Sequence, residues 1–140
     1  MHTQLNEFKD TKVSIQLKLA VLWTSFMFLY IYVDYFALYM PGKVADIQNE
    51  RVYIFDITQN FLSLALVSVS IPALMIFLSV ILSAKINRCT NIIIAFVYIP
   101  YSLFNLAGEA WVHMIFGAVV EVGLLVLIIR YAWKWPKSEM

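Results

Sequence analysis

The sequence lacks most of what a soluble catalytic domain is built from. Only 14 % of its residues are charged and 62 % are hydrophobic, against about a quarter and about half in ordinary soluble domains. A net charge of +1 with no clustered basic face excludes nucleic acid as a partner, because phosphate neutralisation needs such a face. Cys89 is the single cysteine, which excludes an internal disulfide, CxxC redox chemistry and a thiolate zinc centre. No glycine-rich phosphate loop, HExxH or Ser-His-Asp order occurs, so the common kinase, metalloprotease and hydrolase signatures are missing. No cofactor and no metal are expected, and an enzyme is the less favoured class.

What the chain has is long apolar runs, with a mean hydropathy of +0.79. The organising stretch is Leu17 to Met40, long enough to cross a bilayer and carrying one acid, Asp34. A charge in the hydrocarbon region costs several kcal/mol, so such a residue is kept facing protein, water or a partner group. The opening is polar and mixed in charge, no small-residue cleavage pattern follows the apolar run, and that run is longer than a signal-peptide core, so an uncleaved signal-anchor helix is expected.

The first helix should run from about Lys18 to Met40, where Pro41 and Gly42 stop it. Lys43 to Phe55 suits a short interfacial helix or a lid-like loop. The run Asp56-Ile57-Thr58-Gln59 has the form of a capping box, which would start a second helix near Ile57, bent at Pro72. In the basic connector KINRCTN, Asn87 can end that helix and Thr90 or Asn91 can begin a third, reaching Ala107. Gly108 then breaks the chain before a fourth span, Ala110 to Trp135, ending in an aromatic and basic cluster.

The fold class that follows is all-α: a polytopic membrane protein of four transmembrane helices in an up-down-up-down bundle. Its organisation is a tail over 1–17, one transmembrane domain over 18–136 and a tail over 137–140. Eight of the ten Lys and Arg fall in the N-terminal segment, the KINRCTN connector and the C-terminal segment, which by the positive-inside rule places both termini in the cytoplasm. The acids Asp34, Asp46, Glu50, Asp56, Glu109 and Glu121 belong to the opposite, outer side.

Two constellations could carry chemistry. Tyr30 lies four residues before Asp34, on the same helix face, and Tyr98, Tyr101 and Asn105 could reach the same volume. With Glu121 they would form an acidic, tyrosine-rich pocket for an amphipathic or cationic molecule. Glu109, His113, Gly117 and Glu121 recur every four residues and could instead suggest a metal stripe, but Glu109 as a cap, His113 at headgroup level and Gly117 as a packing contact explain it better. Asp34 and Glu121 are expected to face the bundle interior.

The runs LKLAVLWTSFMFLYIYVDYFALYMPG, DITQNFLSLALVSVSIPALMIFLSVIL, NRCTNIII and EVGLLVLIIRYAWKWP together resemble a family of small bacterial four-helix membrane proteins catalogued as a domain of unknown function. The resemblance covers nearly all of the chain after Lys18 and rests on Tyr30 or Tyr32 with Asp34, on Pro72 and on Glu121. Glu109 and His113 have no counterpart in that pattern. It implies the four-helix fold and a bacterial inner membrane, and it supplies no activity. The preferred expectation is a non-enzymatic protein that binds or moves a small amphipathic or lipophilic molecule, using Asp34, Glu121, Tyr30, Tyr98, Tyr101 and Asn105. Membrane lipids surround it, and a homodimer is the expected form if it transports. The rivals are an accessory subunit whose polar residues serve packing, and a membrane-embedded enzyme with Asp34 or Glu121 as general acid or base.

Overall fold

The computed structural model describes residues 11–107 and 110–136. Five helices and one small hairpin make up this part of the chain: α1 (Ile15–Ala37), α2 (Lys43–Gln48), β1 (Arg51–Val52), β2 (Phe55–Asp56), α3 (Gln59–Ile81), α4 (Ala84–Phe104) and α5 (Val112–Trp133). The expected Gly108 break and the proposed role of Glu109 lie outside the described residues.

Three helices, α1, α3 and α5, are long and apolar enough to cross a membrane. The fourth long helix, α4, does not join those three by composition, because its first turns carry Lys85, Asn87, Arg88 and Asn91. Those residues were read as a connector. Instead α3 ends at Ile81, Ser83 is the N-cap residue of α4, and Asn87 and Asn91 sit fully buried inside α4. Both lie inside α4, and the Asn87 side-chain amide reaches back to the Ser79 carbonyl in the last turn of α3 at 2.6 Å.

Helix boundaries moved for identifiable reasons. Ser14 accepts the Leu17 N–H at 3.2 Å, so α1 begins at Ile15, ahead of Lys18; Ser is among the best caps for the unpaired N–H groups of a first turn. The expected capping box is replaced by a simpler cap: Thr58, not Asp56, accepts the Phe61 N–H at 3.1 Å. Asp56 is instead held in the hairpin opposite Arg51, with an exposed ion pair at 3.8 Å.

The four long helices pack antiparallel to their sequence neighbours. Ser79 meets Asn91 near one end of the α3–α4 pair and Ser68 meets Tyr101 toward the other. Lys18 lies over Tyr131 at one end of the α1–α5 pair, while Val33 meets Gly117 toward the other. Buried residues on α4 are Asn87, Asn91, Ala95, Tyr98 and Ser102, a spacing of four, four, three and four that keeps one narrow seam facing the partners. The core is aromatic: Trp23 and Phe26 meet the Tyr98 ring edge-on, at 6.5 and 6.2 Å between centroids, so large side chains on α1 and α4 span the middle of the bundle.

One close approach sets the α1–α5 spacing. A Cβ added to Gly117 would lie 2.5 Å from Val33 Cγ2. Valine has one strongly preferred rotamer in a helix and cannot swing aside. Glycine at 117 therefore lets the two helices come together one turn from Glu121.

Candidate functional site

Two polar layers lie in the apolar bundle. The first was not foreseen. Trp23 Nε1 donates to Asn91 Oδ1 at 2.7 Å, Ser79 Oγ donates to the same oxygen at 3.3 Å, and Asn91 Nδ2 donates to Asn87 Oδ1 at 2.6 Å. Asn87 Nδ2 in turn donates to the Ser79 carbonyl at 2.6 Å. Three helices are tied by one network, and buried amides are tolerated only when paired in this way. The available signal was the four-residue spacing of Asn87 and Asn91 in register with Ala95, Tyr98 and Ser102.

The second layer contains the predicted residues. Tyr98 donates its hydroxyl proton to the Ser68 carbonyl. That carbonyl is the one Pro72 leaves without a helical partner, since proline has no N–H to give to residue i−4. Helix α3 runs on through Pro72 without a break, and α4 supplies the missing donor. Tyr101 shares hydrogen bonds with Ser68 Oγ at 3.0 Å and with the Tyr30 hydroxyl at 3.3 Å, and its ring stacks on that of Tyr30 at 6.3 Å. Asn105, the C-cap residue of α4, approaches the Tyr30 hydroxyl. The crevice among Phe26, Tyr30, Ser68, Val69, Pro72, Tyr98 and Tyr101 is too narrow for a water molecule.

Glu121 and Asp34 are not equivalent. Glu121 is 2 % exposed, as expected for an inward-facing acid. Asp34 corrects that expectation: it is crowded by protein on its inner side but keeps an exposed surface at the rim. Tyr30 meets Tyr101 of α4 and Val33 meets Gly117 of α5, and residue 34 lies beside Tyr30 on the side away from Val33. The two acids lie within electrostatic range of each other, and Asp34 within range of Tyr30. Ser102 Oγ faces the Glu121 carboxyl group, but its geometry falls short of a hydrogen bond, and this fully buried hydroxyl has no partner among the described residues. No ion pair reaches either acid among the described residues.

Farther out on the α1–α5 seam, Phe36, Tyr39, Met40, Trp111 and His113 line an open groove of about 400 Å³. The Trp111 and His113 rings meet edge-on at 6.3 Å. Tyr35 and Tyr39 share a hydrogen bond at 2.7 Å, which pushes the Tyr39 hydroxyl above the ordinary tyrosine range. Among the described residues no three His, Cys, Asp or Glu side chains gather as a metal site, and His113 and Glu121 stand apart on α5 with Gly117 between them.

No curated protein and no solved structure matches the sequence. A family model described as a family of unknown function (DUF6326) matches residues 5–140, nearly the entire chain, and the protein therefore belongs to that family.

Proposed function

We propose that the protein is a four-span membrane protein that binds, or passes, a small amphipathic molecule with a cationic head at the Asp34 end of its bundle. The observation that carries this reading is the pair Asp34 and Glu121, one at the rim and one buried, with no basic partner among the described residues. An acid in a membrane span is costly unless something compensates it, and a ligand cation is such a compensation. The head would lie beside Asp34 and Tyr30, and the apolar part in the aromatic groove formed by Phe36, Tyr39, Met40, Trp111 and His113, whose ring faces attract cations.

Helix α4 is the proposed fourth span. It has 21 residues, about 31 Å at about 1.5 Å per residue, which matches the hydrocarbon thickness of about 30 Å. It packs between α3 and α5 with Asn87, Asn91 and Ser102 turned inward, so it shares their depth. The basic residues concentrate at the other end of the bundle, which supports cytoplasmic termini in a bacterial inner membrane and an outward-facing site. The tyrosine crevice is closed, so passage would require the helices to part, with a second copy as a natural support.

The test uses protein reconstituted in nanodiscs and titrated with tetraphenylphosphonium, followed by tryptophan fluorescence. Saturable binding should weaken at least about tenfold, roughly 1.4 kcal/mol, in Asp34→Asn and in Glu121→Gln, while both variants remain folded. No saturable binding, or equal affinity in wild type and both variants, would overturn the proposal.

A further inference from the structure

The connector between α1 and α3 is not a plain solvent loop. After α2, the chain makes a hairpin in which Arg51 faces Asp56 and Val52 faces Phe55, leaving Tyr53 and Ile54 at the turn. Tyr53 has φ 56°, a left-handed conformation that costs a bulky residue about 1–2 kcal/mol. The turn that results points Ile54 outward, 90 % exposed, flanked by the exposed rings of Tyr53 and Phe55. Val44 and Ile47 on α2 are exposed as well. Apolar residues concentrated at one tip are unusual on a surface facing only water.

We infer that the Tyr53-Ile54-Phe55 tip inserts into the membrane surface, in the same leaflet from which α1 ends and α3 begins. Both ends of the connector are tied to helices apolar enough to span, which keeps its two ends at the membrane surface. The hairpin also lies beside the end of α3 rather than beyond it: the Phe55 ring stacks on Phe61, in the first turn of α3, at 5.8 Å. Lys43 lies over the Tyr53 ring at 4.3 Å, an arrangement in which the ring keeps its apolar body in the headgroup zone and the ammonium stays at the polar edge. The connector carries two basic and three acidic side chains, Lys43, Arg51, Asp46, Glu50 and Asp56. Its attraction to lipid is therefore hydrophobic, and anionic headgroups should add nothing.

The experiment places an environment-sensitive NBD label at Ile54→Cys in a Cys89→Ser background, in nanodiscs holding one copy each. Asp46→Cys, on the exposed polar side of α2, is the reference. Label at 54 should emit to the blue of label at 46, be quenched by headgroup and shallow-chain nitroxide lipids, and be about threefold less sensitive to aqueous iodide. The result should be the same in phosphatidylcholine and in mixtures with phosphatidylglycerol. Equal iodide sensitivity at 54 and 46 would overturn the inference. So would protection that appears only when two copies share a disc, which would make the occupant a second copy. Ile54 is almost fully exposed, so the substitution removes no packing; retention of the Trp23 environment by near-UV circular dichroism checks that the fold is intact.

Discussion

The two polar layers of this bundle are made from similar residues on the same helices, yet they are finished differently. Around Asn91 the amide groups form a closed circuit: Trp23, Ser79, Asn87 and Asn91 use one another as partners. Around Glu121 the circuit is open, with a buried carboxyl group, an unpaired Ser102 hydroxyl and a second acid at the rim. A closed network holds helices in register and needs nothing from outside. An open one is the kind of place where a ligand or ion completes the set.

The largest effect should come from opening the closed layer. Asn91→Leu leaves Trp23 Nε1, Ser79 Oγ and Asn87 Oδ1 without these partners, at about 1–3 kcal/mol for each buried polar group, read as a lower unfolding midpoint in detergent. A variant as stable as wild type would remove the distinction between the layers. The Gly117–Val33 contact is next. Gly117→Ala should cost about 1–3 kcal/mol through overpacking, and Val33→Ala in the same chain should restore most of it, because the atom met at 2.5 Å is then gone. Failure of that rescue in thermal unfolding would mean that the Val33 contact does not set the α1–α5 spacing.

A smaller effect tests the link between α3 and α4. Tyr98→Phe removes the donor to the Ser68 carbonyl, at about 0.5–1.5 kcal/mol for one hydrogen bond. The loss should shrink in a Pro72→Ala background, where residue 72 regains the N–H that serves this carbonyl. A double-mutant cycle measures the coupling, and additive losses would show that Tyr98 is not acting as the substitute donor. The smallest effect on stability is expected at the open layer: Glu121→Gln should change the unfolding free energy by less than about 0.5 kcal/mol or raise it, since Gln keeps the size and polarity of the side chain and can carry no buried charge. A large destabilisation would place Glu121 in the same class as Asn91.

How much of this was legible beforehand follows from the kind of interaction involved. Long apolar runs declare spans because hydrocarbon and water differ so strongly, and Asp34, Glu121, Tyr30, Tyr98, Tyr101 and Asn105 stand out because polar groups are rare in such runs. Their gathering at one end could be anticipated from distance along each helix at a fixed rise per residue. The rotation of each helix could not. Asp34 was expected inside and lies at the rim, because the exposed or buried side of α1 depends on which neighbours claim Tyr30 and Val33.

The sequence by itself therefore determined that this is a helical protein with spans apolar enough for a membrane, acids near one end and bases near the other. Those properties are sums over residues or positions along one helix. Only the tertiary structure decided that Asn87 and Asn91 are core residues rather than helix ends, that Tyr98 answers the carbonyl Pro72 leaves open, and that Glu121 is buried while Asp34 is not. Each of these depends on a partner in another helix or on a helix face chosen by packing, and the spacing along one helix marks an inward stripe without saying which residue of a neighbour will answer it.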